Sequence, residues 1–221
     1  MPEAPLGILG GTFDPVHRAH LHLARAALKK LDLAEVLWVP AGLPSHREAP
    51  HASAPHRLEM VRLATAGEPG FAVDAADASA GQPSYTVPTL ERLRASHGAT
   101  RPLVLLMGAD AFLGLPSWLR WREIFALAHV AVAWRPGADL AAGNMQPQLA
   151  DLFSQRWRDD GRALAVAPAG AIVGFAIDPV EPPDLSATAV RALLRAGGAL
   201  PPDLLPATVL DYIHRNHLYS A

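Results

Sequence analysis

Apolar runs of strand length recur along this chain of 221 residues, separated by stretches with helical spacing. The runs are Leu6–Leu9, Val36–Val39, Leu103–Met107, Val130–Trp134 and either Leu164–Val166 or Ile172–Ile177. They lack the alternation of a half-exposed strand, so they read as strands buried on both faces, as in a parallel sheet. Parallel neighbours need crossover connections, and the intervening stretches supply them. Leu21, Ala24, Leu28 and Leu31 share one helical face. Leu58, Val61 and Leu63 belong to a second helix that Gly67 ends, and Leu90 and Leu93 to a third that Gly98 ends. A fourth is expected from Trp118 to Ala128. Strand–helix alternation predicts an open α/β sheet. After Pro182-Pro183 the character changes: Ser186 to Ala196 and Pro206 to His217 both read as helices, a small C-terminal helical tail. The chain therefore reads as one domain over 1–221, with a sheet core at 1–182 and a helical part at 183–221.

Bulk properties remove several classes of function. Half of the residues are hydrophobic, enough for a sizeable core. The 17 glycines and 21 prolines stay below the low-complexity range of roughly 25–30%. A net charge of −2 argues against nucleic acid or anionic lipid held by bulk charge, but not against a small phosphorylated ligand. Without cysteine there are no disulfides, thiolate nucleophiles or iron–sulfur ligands. The longest uncharged apolar stretch, Ala163 to Ile177, is broken by Pro168 and falls short of the roughly 18 residues a spanning helix needs. The N-terminus has no basic, then apolar, leader pattern. The expectation is a soluble, cytoplasmic protein with no membrane partner.

The chemistry concentrates at the first strand-to-helix turn, Gly10 to His20, which reads GGTFDPVHRAH. In an open α/β sheet, ligands bind beyond the carboxyl ends of the strands. Gly10 and Gly11 would let backbone approach a ligand and adopt positive φ. The helix after Pro15 would offer free N–H groups to a phosphate. His17 and His20, three apart, would share its first turn, where imidazolium groups could hold a polyphosphate. No GxxxxGK[ST] or GxGxxG is present at this turn, so neither a P-loop nor a hydride-transfer fold is supported. By themselves these residues leave a phosphate seat, a plain turn and a metal site open. Against the metal, His22 points away from the other two histidines and no cysteine or well-spaced carboxylate completes a ligand set.

The stretch resembles the (T/H)xxH signature of the nucleotidyltransferase superfamily. Its form is the G-G-(T/S)-F-D-P-x-H-x-G-H typical of nicotinate-nucleotide adenylyltransferases, with Ala19 in place of the usual Gly. Pro44-Ser45-His46-Arg47 is similar to the family's P-x-H-(K/R) loop, within an irregular segment from Pro40 to Pro55. Ser84-Tyr85-Thr86 with Thr89-Leu90 is similar to S-Y-T-x-x-T-L, with Pro88 in place of Asp. Met107-Gly108-Ala109-Asp110 followed by Trp118 resembles M-G-x-D and its tryptophan. Leu185 to Arg191 resembles I-S-(S/A)-T-x-(I/V)-R, and the ending with Tyr212-Ile213 and Leu218-Tyr219 also fits. All occur in family order along the whole chain.

The resemblance implies a single nucleotidyltransferase domain with a Rossmann-like open parallel sheet and helices on both faces. It implies adenylyl transfer from ATP to nicotinate mononucleotide, giving nicotinate adenine dinucleotide and pyrophosphate in NAD biosynthesis. His17 and His20 would be catalytic. Gly10, Gly11, Thr12, Phe13, Gly108, Asp110, Ser186, Thr188 and Arg191 would bind ATP. His46, Arg47, Tyr85, Thr86 and Trp118 would bind the mononucleotide. Mg²⁺ would arrive on the ATP phosphates and water, with no protein metal site. Blander readings stand beside these roles: Ser186 as an ordinary N-cap, His46-Arg47 as a surface charge pair, and Trp118 as a core residue of its helix beside Trp121. Rival functions are adenylyl transfer to nicotinamide mononucleotide or another phosphorylated acceptor, and a silent nucleotide-binding protein. Oligomeric state is not legible.

Overall fold

The computed structural model describes residues 3–44, 49–134, 144–178, 185–197, 200–201 and 203–220. The elements are β1 (Leu6–Gly11), α1 (Arg18–Lys30), β2 (Glu35–Pro40), β3 (Leu43–Pro44), α2 (Ala54–Thr65), β4 (Phe71–Val73), α3 (Ala76–Ser79), β5 (Pro83–Ser84) and α4 (Thr86–His97), then β6 (Leu103–Gly108), α5 (Ala109–Leu113), α6 (Ile124–Leu127), β7 (His129–Trp134), α7 (Pro147–Arg156), β8 (Trp157–Arg158), β9 (Ile172–Ala176), α8 (Ala187–Arg195) and α9 (Ala207–Arg215). Among the described residues seven strands form one sheet in the order β4-β2-β1-β6-β7-β9-β8, and β3 and β5 form a separate two-residue ladder. The chain works outward from β1 to β4, then restarts at β6 on the other side of β1. Right-handed crossovers running in opposite directions from one central strand place their helices on opposite faces. This is the expected Rossmann-like sheet.

Two compact units divide the chain. The first comprises Met1–Leu9, Ala24–Leu37 and Tyr85–Asp178. Its strands pair in parallel, with Leu6 opposite Leu103, Val130 opposite Leu105 and Ile172 opposite Val130. β7 is buried from His129 to Ala133, the mark of a strand covered on both faces. Gly174 in β9 is required by packing: a Cβ there would lie 1.7 Å from the Trp134 ring.

In this unit one open alternative is decided and one expectation is corrected. Of the two alternatives for the last strand, β9 is the strand, while Leu164 lies in a 3₁₀ turn, Gly161–Ala165. Asp160 starts that turn by accepting from the Arg162 N–H. The single helix expected from Trp118 is broken, because Arg120 takes a left-handed φ of 58°. Ion pairs to Glu91 and Glu123, both 2.7 Å, hold Arg120 there. Helix α7 was not foreseen, and neither were the very short strands, whose two or three residues carry no period.

The second unit comprises Gly10–Leu23, Trp38–Ser84 and Pro179–Ala221. It gathers the first turn, α2, α8 and α9. Trp38 is fully buried between Phe13 and Phe71, with ring centroids 5.4 and 5.5 Å away. Helix α2 buries Arg57, Leu58, Met60, Val61, Ala64 and Thr65, an i, i+3, i+4, i+7 stripe. It joins α9 through His56 Nδ1 and the Tyr212 hydroxyl, 2.9 Å apart. The segment after Pro40 is shorter as a loop than its composition suggests. Leu43 and Pro44 pair with Pro83 and Ser84, and α2 already begins at Ala54.

Candidate active site

The first turn is built differently from the sequence expectation. Gly10 and Gly11 close β1, and neither has positive φ; the left-handed residue is Phe13, at φ 50°. The Phe13 ring folds back so that a Cβ on Gly11 would meet it at 3.0 Å. That ring is buried, edge-on to His20 at 5.1 Å. Gly10 is exposed, and a Cβ there would meet nothing within 4 Å. Gly11 is therefore explained by packing, and Gly10 is not.

Helix α1 starts at Arg18, with His17 as the residue before it. The His17 carbonyl accepts from the N–H of His20 at 3.0 Å. In return the His17 N–H donates to His20 Nδ1 at 3.2 Å. This reciprocal arrangement satisfies an N-terminal donor that the helix itself cannot. It also assigns the tautomer: a neutral His20 with Nδ1 accepting carries its proton on Nε2. The two rings stack with centroids 3.9 Å apart.

Burial pushes His17 down to a pKa of about 4. Burial, with His17 as a further cause, pushes His20 well below the usual histidine range. Both are thus neutral imidazoles near pH 7, and the expected imidazolium pair is corrected to a pair of neutral hydrogen-bonding groups. His17 Nδ1 is buried with no hydrogen-bond partner.

Helix α8 brings the second expected cluster to the same turn. Ser186 is its N-cap and accepts from the Ala189 N–H at 3.2 Å, as the plain capping reading holds. Arg191 donates through Nη1 to the Asp14 carbonyl at 2.7 Å and through Nη2 to Thr188 Oγ1 at 3.3 Å. Its Nε is buried without a partner. Arg191, with Thr188 bonded to it, thus joins α8 to the turn that carries Gly10 to Phe13, His17 and His20.

Three residues here had no role assigned from the sequence. Asp14 is buried and accepts from the backbone N–H groups of His51 (2.8 Å) and Ala52 (3.0 Å) and from the Tyr219 hydroxyl (2.7 Å). Arg191 Nη1 lies 3.8 Å from its carboxylate. Burial and the bond to Asp14 push the Tyr219 hydroxyl far above the usual tyrosine range, so it remains a donor. Arg57 is 1% exposed and spends its guanidinium on backbone carbonyls. Its position on the apolar stripe of α2 was the available signal.

The remaining expected residues belong to the first unit, except His46 and Arg47, which lie outside the described residues. Helix α4 starts at Thr86 with Tyr85 as N-cap and no side-chain cap. Gly108 is the N-cap of α5, which carries Asp110 in its first turn. Like Gly10, it would put a Cβ into open space. Trp118 is extended, at φ −79° and ψ 143°, and half-buried, whereas Trp121 is 5% exposed. The two tryptophans do not share a helical face; Trp121 is the core residue.

Comparison with known proteins fixes the family. The cytidylyltransferase-like family model matches residues 8–193. A "probable nicotinate-nucleotide adenylyltransferase" of Dechloromonas aromatica (strain RCB) is 51% identical, over 97% of this chain and 97% of its own length. A protein of the same description from Laribacter hongkongensis (strain HLHK9) is 47% identical over 100% and 97%. The chain belongs to the nicotinate-nucleotide adenylyltransferase family. A solved Plasmodium falciparum nicotinic acid mononucleotide adenylyltransferase, complexed with NaAD, has the same fold at 14% identity, with a TM-score of 0.69 and 98% of each chain covered. As a nicotinate-nucleotide adenylyltransferase, the chain is a nucleotidyltransferase whose family match runs from β1 into α8. No helix among the described residues is long and apolar enough to cross a membrane.

Proposed function

We infer that this chain transfers the adenylyl group of ATP to nicotinate mononucleotide, releasing pyrophosphate and forming nicotinate adenine dinucleotide for NAD biosynthesis. The observation that carries the reading is the first turn, where stacked histidines and an arginine leave buried nitrogens without protein partners. Buried polar atoms in folded proteins almost always have a partner, and phosphate oxygens supply acceptors for the Arg191 Nε–H. The acceptor's phosphate oxygen attacks the α-phosphorus as the bond to the β-phosphate oxygen breaks. A phosphate oxyanion needs no general base, so positioning and electrostatics provide the catalysis. His20 donates from Nε2 to charge that grows in the transition state, at a site of low polarity where such a bond counts most.

His17, Gly10, Gly11, Thr12 and Phe13 line the ATP side in this reading. Ser186 and Thr188 set the start of α8, and Arg191 grips phosphate. Asp14 does not repel the triphosphate: two N–H groups and one hydroxyl already bind its carboxylate, and Arg191 lies beside it. Gly108 and Asp110 serve the adenosine. His46, Arg47, Tyr85, Thr86 and Trp118 serve the mononucleotide. The start of α4, which has no side-chain cap, suits a carboxylate, since the positive helix end favours negative charge.

Mg²⁺ enters with ATP. In this reading the ion is held by phosphates and water rather than by a dedicated protein cage. When bound it neutralises phosphate charge. The whole chain acts as one nucleotidyltransferase domain in the cytoplasm, with two small nucleotides and no nucleic acid as partners.

Pyrophosphate release tests the reading, with ATP, Mg²⁺ and each mononucleotide in turn at one pH and salt. An amide in place of the carboxylate faces donors it cannot satisfy, so kcat/KM should favour the acid by at least about a hundredfold. Near-equal efficiencies would leave adenylyl transfer intact and remove the nicotinate assignment. No release with any acceptor would remove both.

A further inference from the structure

Two side chains hold the segment after β2 by both of its flanks. Arg57 Nη1 donates to the carbonyls of Thr12 and Ala41, each at 2.7 Å. Its Nη2 donates to the Gly42 carbonyl, and its Nε to that of Ala52 at 3.1 Å. Asp14 takes the N–H groups of His51 and Ala52. Ala52, 2% exposed, is therefore gripped twice: its N–H by Asp14 and its carbonyl by Arg57. Thr12 and Asp14 belong to the turn that carries His17 and His20. Residues 41–42 and 51–52 flank His46 and Arg47 in the sequence.

We propose that Arg57 and Asp14 are positioning residues that tie both flanks of this segment to the ATP turn, so that ATP binding and acceptor binding are energetically coupled. The proposal rests on the adenylyltransferase reading. Only arginine can do this at position 57. Its planar fork presents five donors in fixed directions, whereas a lysine ammonium is a point charge on a flexible stem. Four carbonyls from three chain segments converge on one guanidinium. A displacement of the turn is therefore passed to 41–42 and 52 through the same rigid group. An aspartate at 14 completes the clamp, because a carboxylate accepts at both oxygens and an amide at only one.

The test measures coupling rather than activity alone. In the intact wild-type chain, an unhydrolysable ATP analogue should tighten nicotinate mononucleotide binding by a factor in the range of about 5–150, and the reverse should hold equally. In Arg57→Lys and in Asp14→Asn that factor should fall to near one. kcat/KM for the mononucleotide should fall about a hundredfold, the scale of a 1 Å misplacement, and KM for ATP at saturating mononucleotide should rise by the coupling factor that is lost. His56→Ala, on the same helix, loses its bond and ring contact to Tyr212 but none of the clamp's bonds, and should lower Tm with the coupling kept. Clamp variants that lower Tm yet keep wild-type coupling would overturn the proposal.

Hydrogen exchange in the wild type needs no variant to fold. The His51 and Ala52 amides should slow on adding the ATP analogue alone, and unchanged exchange would also overturn it. Absence of adenylyl transfer by the wild type would instead strike the functional reading, and the exchange result would still judge the clamp.

Discussion

The buried start of β7 and the first turn each enclose histidine, and they treat it in opposite ways. His129 is fully buried, yet both ring nitrogens are used. Nε2 donates to the Ala167 carbonyl at 2.7 Å, and Nδ1 accepts from the Ala171 N–H at 3.0 Å. At the first turn His17 leaves Nδ1 without a partner, and Arg191 leaves Nε. Burial lowers the pKa of His129 just as it lowers those of His17 and His20. A depressed pKa therefore does not separate structural from functional histidine in this molecule. Hydrogen bonding does distinguish these two sites: the one at His129 is closed, and the one at the first turn has capacity left for a ligand.

The strongest way to break this contrast is to remove one histidine from each region. His20→Ala should lower kcat by about 10²–10³-fold, the usual loss for one transition-state donor, while ATP binding changes little. His129→Ala leaves the Ala167 carbonyl and the Ala171 N–H buried and unpaired, each costing about 1–3 kcal/mol. It should lower Tm and leave kcat/KM intact below the transition. Steady-state kinetics and thermal melts on both variants decide the matter. A His20 variant that raises only KM for ATP would end its catalytic role, and a His129 variant that loses activity at full stability would erase the distinction.

Acid titration sharpens the contrast from the other side. His17 has a folded pKa of about 4 against an ordinary value near 6.5. Between those values the unfolded chain binds the extra proton and the folded chain does not, so stability rises with pH across this window. The contribution is whole above about pH 6.5 and is lost as pH falls toward 4, amounting to about 3 kcal/mol. His20 acts with the same sign. His17→Asn should flatten the stability curve between these pH values, measured by denaturant midpoints. A variant curve parallel to the wild type would show that His17 is not desolvated. A polyphosphate bound at the turn should raise the pKa of the pair and shift the onset of acid unfolding downward.

The sheet was legible because five of its strands are long apolar runs, and burial on both faces leaves no room for polar residues. Helices α1, α2 and α4 were legible from their stripes and from Gly67 and Gly98, both at positive φ. The broken helix at Trp118 was not, because it depends on Arg120 meeting Glu91 from another helix. At the turn the histidines and glycines stood out as types, but their state did not. Neutrality follows from burial, which a sequence does not display, and the left-handed residue is Phe13 where glycine was expected. Asp14 and Arg57 were hidden for the same reason. Asp14 meets partners as far as 205 residues away and Arg57 as far as 45, and most of these partners are backbone groups, which every residue has.

Gly10 gives the finest test of the comparison, because nothing in the fold explains it. Its φ is ordinary and a Cβ would meet open space, so Gly10→Ala should fold with unchanged Tm. Gly11→Ala is the internal reference: its Cβ meets the Phe13 ring at 3.0 Å, and the ring must shift or stability must fall. If ATP phosphates approach the backbone at Gly10, a methyl group there obstructs them, and kcat/KM for ATP should fall about tenfold, or about 1.4 kcal/mol. That loss should appear in KM for ATP and leave the mononucleotide KM unchanged. An alanine at 10 with wild-type kinetics for both substrates would mean that the open space beside β1 receives no ligand. The unpaired nitrogens of His17 and Arg191 would then need another occupant.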